Sequence, residues 1–476
     1  MNKIAVLPIL NSSFLIHNSI VTMNRTIIDR TLGTRHGEAA YKVVEILLDA
    51  GYECFWVGGA VRDMLLDVVP QEIDMATSAK PSDVSALFPK SDDSAAHLGT
   101  IVVSMKGQTF EITTFRKDIG IKDGRKPESV QFGTREEDAA RRDATMNAMY
   151  WNPISSELFD PWNGAKDCRE KLVRFIGVPE TRIAEDSLRI LRLVRLRATI
   201  DGQYDPKTYL AMRSCAASVG TLSGTRVLEE IEKLLLCSLP SKGLQDLLEI
   251  GVLEIVLPEL AACKGVAQPK KFHLEGDVWD HLLQCTKSFT ADHEIDVRLA
   301  ALLHDIGKPR TFSLTDRIHF DKHAEVSSQI AETILKRLQM NKARVEKISW
   351  LIGHHMMMGS FKALSDERKA HWYFHPWFKE LLQVMALDIE GTTPSDFTLY
   401  DEIVKDYDLF LNAHPRREKA LLSGKELMEI LGIREGEEVG KLLRQLHDAQ
   451  IRKEISTKKE AKEFLRTLTT ESEQES

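Results

Sequence analysis

The sequence predicts an α+β fold in which a small mixed α/β head precedes a long all-α remainder. Three observations carry that prediction. At 476 residues the chain exceeds what one compact core holds. Short β-rich runs bounded by glycine cluster before about residue 150, and helix-period patterns dominate after it. The expected segments are an N-terminal extension (1–37), the head (38–150), a helical neck and body (151–268), a metal-binding helical domain (269–400) and a helical tail (401–476).

Taken in order, the extension carries one apolar patch, Ile4 to Leu10, broken by Pro8 and poorly suited to be a signal peptide, and Met23 is an alternative start. Ala39 to Ala50 has the spacing of an amphipathic helix. Cys54 to Val57 reads as a strand that enters a tight turn at Gly58-Gly59. Thr100 to Met105 and Thr109 to Phe115 read as a hairpin, and Asp118 to Phe132 as a polar mobile loop. Beyond 150 come helical patterns, ending in glycine-punctuated segments from Leu421 to Leu443 and a frayed end from Thr469.

A net charge of −8 excludes a uniformly basic nucleic-acid coat, so any such contact uses local patches. The six cysteines are scattered without a Cys-x-x-Cys pair, which points to a reducing, cytoplasmic setting, and no apolar run is long enough for a membrane partner.

The chemistry-bearing residues begin at Gly58-Gly59-Ala60-Val61-Arg62-Asp63. Glycines after a strand let backbone N–H groups approach a triphosphate, with Arg62 adding charge. Glu72 and Asp74, two apart on a predicted strand, point to one side and suit Mg²⁺ ions in two-metal phosphoryl transfer. Glu111, on the predicted strand Thr109 to Phe115, reads first as a solvated strand residue, with a third carboxylate or a hydrogen bond to the site as the alternative. Arg141-Arg142 fit phosphate, and Asp143 and Asn147 would share a helix face. Glu185 to Arg195 reads as one helix bearing Asp186, Arg189, Arg192 and Arg195.

The ordered set GGxxRD, acidic pair followed by Ala76-Thr77, RRDxTxNA, Asp160-Pro161-Trp162-Asn163-Gly164 and Glu185-Asp186-Ser187-Leu188-Arg189 resembles the bacterial-type CCA-adding enzymes and their poly(A) polymerase relatives. The resemblance implies a nucleotidyltransferase-type head, Mg²⁺, CTP and ATP as substrates and tRNA as partner. It implies that Glu72 and Asp74 hold the catalytic metals, that Gly58, Gly59, Arg62 and Arg142 meet the triphosphate, and that Asp186 and Arg189 read the base. Arg192 and Arg195 would serve the nucleotide or RNA backbone, and the polar loop would act in switching from C to A. Two departures stand out: Glu72 replaces the usual Asp, and Ala144 a usual Phe.

A second set, His281, His304-Asp305, His323, His354-His355 and Asp388, resembles HD-domain phosphohydrolases, some of which use two metals. Imidazole and carboxylate donors suit Mn, Fe or Ni. The tail resembles that of the same enzymes, and two readings of it stand equal: Lys441 and Arg444 hold tRNA phosphates, or the tail only packs on the HD-like domain. Two alternatives remain open: a poly(A) polymerase or A-adding enzyme, and a non-catalytic RNA-binding head with an active HD hydrolase.

Overall fold

The computed structural model describes residues 14–16, 19–21, 23–119, 129–269, 273–414 and 419–474. It falls into two compact units that meet in sequence at Ala261 and Ala262.

The first unit is built on a seven-stranded mixed sheet. Its order is Leu158–Phe159, Tyr150–Trp151, Cys54–Val57, Asp74–Thr77, Gln108–Thr114, Thr100–Met105, Ser91–Asp92. The sheet therefore runs past residue 150. Only the central pair, Asp74–Thr77 with Gln108–Thr114, is parallel, in the register Met75 opposite Ile112. Strand Cys54–Val57 is buried throughout, as a central strand of apolar residues must be. The two long outer strands alternate: Ile101, Val103, Phe110 and Ile112 are buried, while Thr109 and Glu111 face outward. Helix Arg35–Asp49 covers the buried face through Ala39, Ala40, Val43, Val44 and Leu47. The Thr34 side chain caps it by accepting from the Gly37 amide at 2.9 Å. The hairpin turn is tight, with Lys106 (φ +51°) and Gly107 (φ +76°) both left-handed.

Three sequence expectations change here. The polar loop begins and ends as paired strands, Arg116–Ile119 with Ser129–Phe132, because its outer residues form a ladder; residues 120–128 lie outside the described ones, as do Ile4 to Leu10 and Phe272. Glu72 precedes the strand, which begins at Asp74. Asp143 lies in a turn after helix Arg135–Ala140, so Asp143 and Asn147 meet by a hydrogen bond (3.1 Å) and not through helical spacing.

The rest of this unit is helical. Helix Leu188–Ile200 packs against Gly224–Leu235 and Pro240–Ile250. The expected single helix from Glu185 breaks: helix Pro179–Glu185 ends and Asp186 is extended (φ −156°, ψ 105°) before the next begins. An extended residue at the junction frees the Asp186 side chain from either helix face.

In the second unit, helices Val278–Lys287, Ile295–Leu303, His323–Arg337, Lys342–His354 and Phe378–Gly391 form an all-α body. The tail helices Gly424–Leu431, Glu437–Ile451 and Lys458–Gln474 have a small core of their own around Leu427, Leu446 and Leu465. The tail also packs on this unit, where the Glu367 amide donates to Asp448 at 2.6 Å.

Candidate active site and metal centre

A cleft of about 530 Å³ opens on the exposed face of the sheet. The chain turns into it at Gly58, whose φ of +64° and ψ of −123° exclude residues with a side chain, and a Cβ there would meet Arg142 at 3.2 Å. Opposite the turn stands Asp74. Continuing the parallel register one step outward from Met75–Ile112 sets Asp74 beside Glu111 on the next strand. Burial raises the Asp74 carboxyl above its ordinary value, and Glu111 and then Glu72 add to it against Arg142. Three carboxylates that crowd one another in this way fit a divalent cation, which relieves their repulsion. Glu111, for which sequence favoured a solvated role over a third carboxylate, thus weighs more on Asp74 than Glu72 does. Nothing local in the sequence marks Glu111, since its role depends on which strand pairs with which.

The other wall is cationic. Arg142 is held by Tyr150 (Nε to Oη, 3.0 Å) and by the Asn147 carbonyl (3.3 Å). Arg192 pairs with Asp143 at 2.9 Å. Asp143 is buried, yet Arg192, the Asn147 amide and the Ala144 N–H bring its carboxyl down to about 2. Asp186 and Arg189 both line the cleft. Asp186 accepts from Arg226 at 2.7 Å, and Arg226, from helix Gly224–Leu235, is a cleft residue that sequence reading missed. Arg189 donates to Glu185 (2.6 Å) and to the carbonyls of Arg182 (3.0 Å) and Arg141 (2.9 Å).

Two residues expected to contact the nucleotide or RNA pair with protein groups and do not line this cleft. Arg62 is absent from the cleft lining; it grips Asn147 (2.9 Å) and Asp63 (2.7 Å), which ties the phosphate turn to the RRDxTxNA segment. Arg195 pairs with Glu230 at 2.8 Å and is also absent from the lining. Each i+3 step rotates about 60° backward around a helix, so from Arg189 to Arg195 the stripe turns about 120° away from the cleft.

In the second unit, four imidazoles converge. The His281 and His304 Nε2 atoms are 3.3 Å apart, as are those of His323 and His355. Asp388 lies 3.1 Å from His281 and 3.4 Å from His304. Asp305 spans both pairs, with one oxygen 3.3 Å from His304 and the other 3.4 Å from His323. That second oxygen is buried and has no hydrogen bond. Every ring is oriented from behind: Nδ1 donates to the carbonyl of Gly391 (3.2 Å), Ala301 (2.8 Å), Phe320 (2.8 Å) or Ile352 (2.7 Å) for His281, His304, His323 and His355 respectively. This leaves each Nε2 lone pair free for a metal. Donors about 2.1 Å from a cation sit about 3.0–3.4 Å from one another, which is the spacing observed. Although burial opposes it, Asp305 and Asp388 lift His304 to about 10, whereas burial and His304 press His355 down to about 4.

His354 is not part of this cluster. One residue along a helix is a rotation of about 100°, and its ring instead packs on Trp350 (4.6 Å) and Trp372 (5.2 Å). Conversely, His273 and Glu275 form a further group with His281, Glu275 lying 2.6 Å from His273 and 3.4 Å from His281.

A phosphate turn facing carboxylates on an open sheet is the geometry of a nucleotidyltransferase. The comparisons agree. Residues 54–174 match the Poly A polymerase head domain, 203–264 the probable RNA and SrmB-binding site of polymerase A, and 278–413 the HD domain. The CC-adding tRNA nucleotidyltransferase of Thermus thermophilus is 33% identical over 442 residues, 87% of this chain and 93% of that protein. The CCA-adding enzyme of Geobacillus stearothermophilus is 40% identical over 225 residues, 47% of this chain and 55% of that one. The crystal structure of the Bacillus stearothermophilus CCA-adding enzyme in complex with CTP is 25% identical, with a TM-score of 0.66 over 93% of this chain and all of that one. The chain belongs to the tRNA nucleotidyltransferase and poly(A) polymerase family and carries an HD domain. Both domains depend on divalent metal. Among the described residues no helix is long and apolar enough to cross a membrane.

Proposed function

We propose that this protein extends the 3′ ends of tRNA in the cytoplasm with C, C and A, without a nucleic-acid template, from CTP and ATP. The observation that carries this reading is the side-by-side placement of Asp74 and Glu111 facing the Gly58–Gly59 turn, in one cleft with Asp186 and Arg189. Asp74, Glu111 and Glu72 would hold Mg²⁺, which supplies a more acidic 3′-hydroxyl and neutralises phosphate charge. The backbone of Gly58 and Gly59, with Arg142, receives the triphosphate. The 3′-oxygen bonds to the α-phosphorus, the bond to the bridging oxygen breaks, and pyrophosphate leaves. Asp186 and Arg189 present an acceptor and a donor to the base edge, so Asp186 must exchange Arg226 for the nucleotide.

One relative favours a second reading for the number of steps, while the others are CCA-adding enzymes. The Thermus thermophilus protein, similar over nearly the whole chain, is a CC-adding enzyme. Extension assays on tRNA ending before the first C, with CTP alone, ATP alone and both, separate the cases. Arrest after C, C and A supports the first reading, arrest after two C residues the second, and long A tracts a poly(A) polymerase.

For the HD domain we propose a two-metal phosphohydrolase site, with a transition metal such as Mn, Fe or Ni held by His281, His304 and Asp388, a second by His323 and His355, and Asp305 between them. Hydrolysis of phosphomonoesters or 2′,3′-cyclic phosphates by metal-replete protein tests it; inert metal-bound protein would reduce the centre to a structural one.

A further inference from the structure

The second unit carries an aromatic cluster that is distinct from its four converging imidazoles. Helix Lys342–His354 sets Glu346, Trp350 and His354 on one face at four-residue spacing. Helix Asp366–Tyr373 adds Trp372, and His375 and Trp377 follow it. Trp350 and His375 stack at 3.9 Å with their planes 2° apart. Trp350 also lies 4.6 Å from His354, 5.6 Å from Trp372 and 5.6 Å from Trp377. All five rings are only partly buried. The core beneath is filled by a separate set, Phe361, Tyr373 and Phe378, each buried and in ring contact with the other two.

Two further features set this cluster apart from packing. The indole N–H groups of Trp350, Trp372 and Trp377 make no hydrogen bond among the described residues, and all three reach solvent. A large apolar ring with a wet donor at its rim is the side chain that recognition surfaces favour. The second feature is charge. Arg368 and His371 stand about one turn before Trp372 on its helix, and Lys379 follows Trp377; all three are exposed. Arg368 and Lys379 form no ion pair among the described residues. The carboxylates beside the rings are each matched by a lysine, Glu346 by Lys342 at 3.7 Å and Glu380 by Lys347 at 3.2 Å. Flat π-faces thus adjoin unmatched positive charge, in a chain whose net charge is −8.

The ligand that complements both is a flat ring tethered to an anion, as an unpaired nucleobase is to its phosphate backbone. A double helix hides its base faces and offers no such ring. We propose that this surface is a stacking platform for single-stranded RNA. Trp350 and Trp372, with His354 and His375, receive an unpaired base, and Arg368 and Lys379 meet the flanking phosphates. Every base has a π-face, so the platform accepts an unpaired strand of any sequence. None of these residues belongs to a donor group of the HD centre or lines the nucleotide cleft, so the inference goes beyond both proposed activities and rests on neither.

The test uses the full chain in EDTA without CTP or ATP, and follows tryptophan fluorescence as a short oligoadenylate is added. Trp56, Trp151 and Trp279 are buried, which leaves the platform tryptophans to carry most of the response. Quenching should saturate, with a midpoint about tenfold higher in Trp372→Ala, within the worth of one stacked base. Trp372→Phe keeps a ring and should stay within about twofold of the unaltered protein. Arg368 is exposed, so Arg368→Ala tests the charge without disturbing packing; its midpoint should rise about threefold, with a shallower dependence on salt. Equal midpoints in all variants, or equal quenching by a blunt RNA duplex, would overturn the platform. Equal quenching by AMP would make it a site for free nucleotides and overturn the assignment to RNA. A dimer of the unaltered protein that Trp372→Ala dissociates would also overturn it, since a second copy would then cover the rings.

Discussion

The two candidate metal sites of this chain are built on opposite principles. In the head, Asp74, which opens one strand, and Glu111, in the middle of the next, stand side by side on an open face and face a wall of paired arginines. In the HD domain, His281, His304 and His355 are buried, and all four converging imidazoles are fixed through Nδ1 by a backbone carbonyl. The contrast follows from what each must admit. A site that exchanges a triphosphate and an RNA end at every step needs an open face and ion pairs that can be swapped. A site that retains its metals needs donors already oriented, so that binding orders nothing further.

The sharpest way to break the comparison is to remove one centre and read the other. Asp74→Ala should lower nucleotide addition by about a thousandfold or more, the several kcal/mol that metal-ion catalysis contributes. The bound-metal content of the HD domain, measured by plasma mass spectrometry, should not change. His304→Ala should do the reverse, because His304 belongs to two of the three candidate donor groups among the described residues. Coupled loss in either direction would mean that the sites are not independent.

Next in size is Glu111→Gln. If Glu111 shares the cation with Asp74, addition falls by about a hundredfold, comparable to losing one electrostatic contact to the transition state, and excess Mg²⁺ partly restores it. A change below twofold would return Glu111 to the solvated role that its sequence suggests.

The arginine wall predicts a pH effect. Asp143 has a lowered carboxyl, at about 2, so its pairing with Arg192 contributes stability that is fully present above about pH 4 and lost as pH falls through about 2. Arg192→Ala should cost about 1–3 kcal/mol at neutral pH, toward the lower end because the Arg192 side chain is 44% exposed. It should also flatten the acid limb of a thermal-unfolding profile between pH 5 and 2. An unchanged acid limb would remove Asp143 from the account.

The smallest effects are the near-neutral ones. His354→Ala should leave HD metal content unaltered, since its ring packs on Trp350 and Trp372. Arg195→Ala should change CTP KM by less than twofold while costing stability through Glu230.

What could be read without the structure was local. The strand-to-helix turn at Gly58, the Lys106–Gly107 hairpin and the helix over Arg35–Asp49 follow from residues adjacent in sequence, because glycine at positive φ and a 3.6-residue apolar period act within a few residues. The order of motifs likewise carried the family. Local reading did not reach what rotation about an axis or pairing across the fold decides: Arg195 turns toward Glu230, the His354 ring packs on Trp350, Arg62 pairs with Asn147, and Asp186 sits at a helix break.

The sequence by itself determined the elements, the acidic and imidazole donors and the class of chemistry, since each depends on residue type and short spacing. Only the tertiary structure decided that Glu111 stands beside Asp74 and that Arg226 holds Asp186. Strand register and helix packing join residues tens of positions apart, and no local periodicity encodes which partner each will meet.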